Sequence, residues 1–167
     1  AGLPAGVVNI VTGRGDVVGA ELSTHPDVAK ISFTGSTAVG KIIQRAATDT
    51  MKRVHLALGG KSPSIILDDA DLSKAVPLAL NAAFMNNGQA CISGSRLLVP
   101  AQRLEEVITI VKETVAQMKV GNPADPTTVI GPLANRNQYE RIQNYIRLGL
   151  AEGATPVSYT HLRAHET

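Results

Sequence analysis

The sequence predicts an α/β fold with mostly parallel strands. Short β-branched or apolar runs alternate with segments whose apolar residues recur at helical spacing. Glycine or proline turns close most of the runs. Hydrophobic residues make up 44% of the chain and charged residues 18%, a balance that calls for a packed core rather than disorder. Aromatic residues are only 3%, with no Trp, so that core is built from Ala, Val, Leu and Ile.

Residues 6–12, GVVNIVT, form a β-branched run closed by Gly13-Arg14-Gly15, which predicts a strand. Asp16 then serves as N-cap of a short helix carrying Val17, Val18, Ala20 and Leu22, broken at His25-Pro26-Asp27. Residues 29–33, AKISF, predict a second strand. Thr34-Gly35-Ser36-Thr37 turns the chain into a helix with Val39, Ile42, Ile43 and Ala46 on one face. Residues 52–58, KRVHLAL, give a third strand, and residues 64–67 a fourth after the turn GGKSP.

Asp71 is the predicted cap of a helix over about 72–85, in which Pro77 kinks or restarts the backbone. A fifth strand spans 95–99 and ends at Pro100. Leu104, Val107, Ile108, Val111, Val115 and Met118 mark the apolar side of a long helix. A Pro-, Asp- and Thr-rich loop covers 121–133. The last helix, 135–152, presents Tyr139, Ile142, Tyr145 and Ile146 and stops at Gly153. Residues 157–167 break this grammar. His161 and His165 lack a third metal ligand there, and a non-native tail is the better reading.

The 167 residues suffice for one medium domain or pieces of two. A net charge of +2, spread along the chain, gives no reason to propose nucleic acid or an anionic membrane as partner. No apolar run reaches the length of a membrane span. A single cysteine excludes an intrachain disulfide and a multi-cysteine metal site, and fits a reducing compartment such as the cytoplasm. The chain opens on the loop-like AGLPAG without an initiator Met, as a piece of a longer protein would.

That cysteine, Cys91, follows an apolar helical run and the polar turn NNGQ. A thiol on an irregular segment behind a helix can be presented to a pocket while the helix fixes its position. Alone, the stretch is better read as a small buried hydrophobe. Two further phrases change that balance. FTGSTAVG, residues 33–40, is a strand, a glycine turn and a helix start; its amides and the Ser36 or Thr37 hydroxyl suit a pyrophosphate. An ordinary Ser/Thr-capped turn explains the same residues equally well, and the GxGxxG fingerprint is absent. LALGGKSP, residues 56–63, places two glycines where a strand stops.

In this order and at these spacings, FTGSTAVG, LALGGKSP and GQAC resemble the aldehyde dehydrogenase superfamily. GLPAGVVNIVTG, DDADL at 68–72 and VGNPADPTTVIGPL at 120–133 extend the resemblance from residue 1 to about 156. It implies the second half of a Rossmann-like NAD(P)-binding domain over 1–59 and the first half of an α/β catalytic thiol domain over 60–156. Cys91 then matches the nucleophile that attacks an aldehyde. Gly35, Ser36 and Gly40 match the turn that holds the phosphates of NAD or NADP, and Leu58 and Gly59 match the linker beside nicotinamide and thiol. No metal is implied. The resemblance also implies a small-molecule aldehyde as substrate and a homodimeric or homotetrameric parent.

One departure stands out. The family phrase reads Glu-Leu-Gly-Gly, its Glu being the general base for thioester hydrolysis, and this chain has Ala57 at that position. A methyl group accepts no proton, and losing a positioned base costs on the order of a hundred- to ten-thousand-fold. The resemblance therefore implies an aldehyde dehydrogenase impaired in deacylation. Two other readings stand beside it: an inactive remnant or nucleotide-binding scaffold of the same family, and a cysteine hydrolase pairing Cys91 with His25 or His55.

Overall fold

The computed structural model describes residues 2–157. The chain divides into two compact units, one ending at Gly59 and one beginning at Gly60.

In the first unit, β1 (Lys30–Gly35) and β2 (Arg53–Leu58) pair in parallel, with Ile31 opposite Val54, Phe33 opposite Leu56 and Gly35 opposite Leu58. Parallel neighbours need a crossover, which α2 (Thr37–Ala46) supplies. Ile43, and Ala47 just past its C-terminal end, are buried. Lys52, just before β2, is buried as well; its ammonium donates to the His25 carbonyl at 2.7 Å, so the charge is hydrogen-bonded.

Two expectations fail in this unit. Residues 6–12 form no strand: Val7, Val8, Ile10 and Val11 are exposed, Ile10 at 86%. A strand requires a hydrogen-bonding partner, and among the described residues β1 and β2 pair only with each other. Asp16 caps nothing either. Arg14 holds the N-cap place of a single π turn, Gly15–Gly19, and binds Asp16 through its Nε at 2.9 Å. The short helix α1 (Ala20–Thr24) follows directly.

In the second unit, β3 (Pro63–Ile65) and β4 (Arg96–Leu98) pair in parallel, Ser64 opposite Leu97. The core forms where α3 (Leu72–Phe84) meets α4 (Leu104–Ala116): Leu72, Val76 and Leu80, four residues apart on α3, are buried with Ile66 and Val107. Each such side chain contributes about 1.5–3 kcal/mol by leaving water. Asp71 caps α3 by accepting the Ser73 N–H at 3.1 Å. The helix does not restart at Pro77; it runs through as one element. Met118 lies beyond the end of α4, yet still packs on the core.

The last helix, α5 (Arg136–Ala151), is capped by Asn135, which accepts the Gln138 N–H at 3.0 Å. It ends at Gly153, whose φ of 93° no other residue type adopts as readily. Tyr145 does not join the half-buried Tyr139, Ile142 and Ile146; it is exposed, with the Arg141 guanidinium 5.8 Å from its ring centroid. The segment carrying His161 and His165 lies outside the described residues. Among the described residues, no helix is long and apolar enough to cross a membrane.

Candidate functional site

In the first unit, β1 runs straight into the turn at Gly35 and Ser36. A Cβ on Gly35 would stand 2.5 Å from Phe33 Cζ, so a side chain there collides with the ring. Ser36 Oγ accepts the Val39 N–H at 3.3 Å, and its own O–H remains able to donate. Thr37 and Ala38 place two more amides in the first helical turn, before intrahelical partners begin. Residues 34–39 are exposed. The turn therefore offers several donors and the positive end of α2 to an anion.

Gly40, one turn into α2, is buried against β2. A Cβ there would meet Leu58 Cδ2 at 3.0 Å and Leu56 Cδ1 at 3.5 Å. The glycine lets the helix approach the strand that carries Ala57, Leu58 and Gly59. Ala57 lies opposite Thr34 in the register, and Leu58 opposite Gly35. Gly35, Ser36, Gly40, Ala57 and Leu58 are thus joined through one strand pair and its crossover helix.

In the second unit, α3 gives way to the non-helical segment Met85–Gly88 and then to the turn holding Cys91. Asn86, Asn87 and Gly88 take left-handed positions in succession, at φ 52°, 57° and 72°. Each costs an ordinary side chain about 1–2 kcal/mol, and Asn and Gly are the residues that tolerate it. Cys91 is exposed. The Ser93 N–H closes the turn on the Ala90 carbonyl at 3.2 Å. Among the described residues, no backbone hydrogen bond claims the Cys91 N–H.

The start of β3 supports this turn. A Cβ on Gly60 would lie 3.8 Å from the Cys91 carbonyl oxygen. Arg96 Nε donates to the Lys61 carbonyl at 2.7 Å, fastening the strand after Cys91 to the segment after Gly60. Gly94 lies so near Ser64 that an added Cβ would stand 2.2 Å from the Ser64 hydroxyl.

Sequence reasoning missed Asn87 and Gln89. Asn87 Oδ1 accepts the Gly131 N–H at 2.8 Å and its Nδ2 donates to the Pro132 carbonyl at 3.2 Å. Gln89 Oε1 accepts the Ala134 N–H at 3.2 Å. The signal was two amides flanking a glycine beside the thiol, but their partners lie about 45 residues along the chain. His25 finds a local role, its Nδ1 accepting the Asp27 N–H at 3.2 Å.

The profile of the aldehyde dehydrogenase family matches residues 1–166. The chain is 50% identical over 153 residues to 3-succinoylsemialdehyde-pyridine dehydrogenase of a Pseudomonas species, covering 92% of this chain and 32% of that one. It is 46% identical over 156 residues to an aldehyde dehydrogenase of Emericella nidulans, covering 93% and 31%. Among solved structures, the NAD+ complex of an aldehyde dehydrogenase from Bacillus cereus superposes with a TM-score of 0.88 at 43% identity, over 94% of this chain and 32% of that one. A mutant aldehyde dehydrogenase C from Pseudomonas syringae, complexed with NAD+ and octanal, gives 0.89 at 44% identity, over 98% and 34%. The chain spans about a third of the length of these two curated relatives.

Proposed function

Because the chain belongs to the aldehyde dehydrogenase family, we propose that it is the central part of an NAD(P)-dependent enzyme oxidising an aldehyde to a carboxylic acid. Residues 1–59 are the second half of its cofactor domain and residues 60–156 the first half of its catalytic domain. Cys91 is the nucleophile. Gly35, Ser36 and Gly40 belong to the phosphate-holding turn, and Leu58 and Gly59 to the linker toward the thiol. The observation that carries this reading is Cys91 itself: exposed, on a turn fixed behind α3, with its N–H left for a ligand.

The donors at Ser36, Thr37 and Ala38 fit a pyrophosphate, and the dinucleotide, when bound, supplies the hydride acceptor. The Cys91 thiolate adds to the aldehyde carbon, forming a C–S bond while the carbonyl electron pair moves to oxygen. The Cys91 N–H donates to that oxyanion. Loss of the hydride leaves a thioester on Cys91, and water releases the acid and regenerates the thiol. Water needs a base at this last step, and Ala57 provides none. Turnover therefore stalls at the thioester.

By the same resemblance the whole enzyme is a homodimer or homotetramer, and its free thiol suits the cytoplasm. A thiol-reactive aldehyde analogue should label Cys91 of the full-length protein only when NAD+ or NADP+ is present. Ala57 favours one second reading, a nucleotide-binding scaffold. Cofactor binding without any labelling would select it.

A further inference from the structure

The three left-handed residues before Cys91 reverse the chain with no helix or strand ladder to hold them. Within the turn, the Gln89 N–H donates to the Asn86 carbonyl at 3.0 Å, and Asn86 Nδ2 donates to the Gln89 carbonyl at 3.3 Å. These bonds set the curvature of the turn, not its place in the unit. Its place is set from two sides: by Gly60 and the Arg96–Lys61 bond on the β3 side, and by Asn87 on the side of the loop behind α4.

We propose that Asn87 is a positioning residue for the Cys91 thiol: its side-chain amide ties the cysteine-bearing turn to the loop behind α4 at Gly131 and Pro132. The inference rests on the reading of Cys91 as nucleophile. Both ends of the amide are used, the oxygen on the Gly131 N–H and the nitrogen on the Pro132 carbonyl. The approach is close but not forced: a Cβ on Gly131 would stand 3.5 Å from Asn87 Nδ2, an ordinary contact. Gln89 adds a third bond to the same loop at Ala134.

The loop is a firm anchor. Val120 bridges Ile130, and the Gly121 N–H donates to the Ile130 carbonyl at 3.0 Å. Lys119 gathers it from within, its ammonium donating to Asp125 at 2.6 Å and Thr127 at 2.7 Å, while its carbonyl accepts the Val129 and Ile130 N–H groups. Met118, one residue earlier, packs on the hydrophobic core. A continuous path thus runs from the core through Lys119, Gly131 and Asn87 to the turn that holds the sulfur.

Asn87→Gly in the full-length enzyme isolates the amide, because glycine keeps the left-handed backbone at no steric cost. The rate constant for the first round of cofactor reduction should fall roughly ten- to a hundredfold. Half-saturating NAD+ should stay unchanged, unfolding should remain cooperative with only a small drop in midpoint, and the Gly131 amide should exchange roughly tenfold faster. Asn87→Asp keeps the acceptor for Gly131 but loses the donor to Pro132, so it should fall between. Unaltered reduction, unaltered Gly131 exchange, or a parallel loss of NAD+ affinity and folding would each overturn the proposal. If the unsubstituted enzyme reduces no cofactor, the nucleophile reading fails by itself. Gly131 exchange and the rate of Cys91 alkylation by iodoacetamide then decide the tie: both changing in Asn87→Gly sustains it, either unchanged overturns it.

Discussion

The backbone of Gly60 lies against the peptide of Cys91, so that a Cβ on the glycine would stand 3.8 Å from the Cys91 carbonyl oxygen. That spacing is an ordinary contact for a methyl group, while a branched side chain must direct its extra carbons away from the Cys91 peptide. Gly60→Ala should change stability by less than about 0.5 kcal/mol, whereas Gly60→Val should cost about 1–3 kcal/mol and displace the turn. Urea unfolding of the two variants checks the contrast.

Gly94 and Ser64 make a sharper case. In Gly94→Ala the new methyl meets the Ser64 hydroxyl at 2.2 Å but the Ser64 Cβ only at 3.4 Å. The clash is thus with one oxygen. The hydroxyl can turn away by giving up its 3.4 Å bond to the Gly94 carbonyl, so Gly94→Ala alone should destabilise by about 0.5–1.5 kcal/mol, and adding Ser64→Ala should restore most of the loss. A double-mutant cycle with a coupling near zero would refute this account.

At Gly40 two effects oppose each other. Alanine gains about 1 kcal/mol of helix propensity, yet its Cβ would press on Leu58 Cδ2 at 3.0 Å. That methyl ends a flexible side chain and can shift, so Gly40→Ala should be close to neutral. Gly40→Leu adds atoms that only separation of α2 from β2 accommodates, and should cost about 1–3 kcal/mol or more. Unfolding midpoints of the pair decide it.

Acid should loosen the loop behind Asn87. The Lys119 ammonium, followed by the amide and hydroxyl of Thr127, holds the Asp125 carboxyl below the usual carboxylate range. A lowered folded value means this stabilisation is complete above the unfolded value near 3.9 and disappears as pH falls through the folded value. Amide protection at Val129, Ile130 and Gly131 should therefore hold steady from neutrality to about pH 5 and drop below about pH 4. Asp125→Asn should lower protection at neutral pH and flatten that dependence. Salt should weaken the effect, because the pair is partly exposed.

How far the sequence was legible varies with the range of the forces involved. Helix caps are local, and Ser36, Asp71 and Asn135 all cap as their types suggest. Parallel pairing followed from alternation, since a helix between strands leaves little else. The strand expected at 6–12 failed because β-branched composition measures fitness for a sheet, not the presence of a partner. Tyr145 failed for a related reason: periodicity gives the face of a helix, and α5 has no buried residue to hold that face. At the candidate site, Cys91, Gly35 and Gly40 were visible as types at set spacings. Asn87 was not, since its meaning depends on Gly131 and Pro132.

In the proposed reaction, the identity of residue 57 bears most directly on turnover. If the missing carboxylate is what halts hydrolysis, Ala57→Glu in the full-length enzyme should raise steady-state turnover on the order of a hundred- to ten-thousand-fold. On the proposed mechanism the first-turnover rate should change little, because there the base acts only after the thioester forms. An equal rise in both rates would place the defect before acylation.

The most direct measurement is the amount of reduced cofactor formed when the full-length enzyme, with Ala57 in place, is mixed rapidly with aldehyde and NAD+ or NADP+. One equivalent per subunit, formed quickly, lost in Cys91→Ser and followed by almost nothing, is the predicted result. Sustained rapid turnover, or an undiminished burst from Cys91→Ser, would contradict a Cys91 thioester stranded without a base.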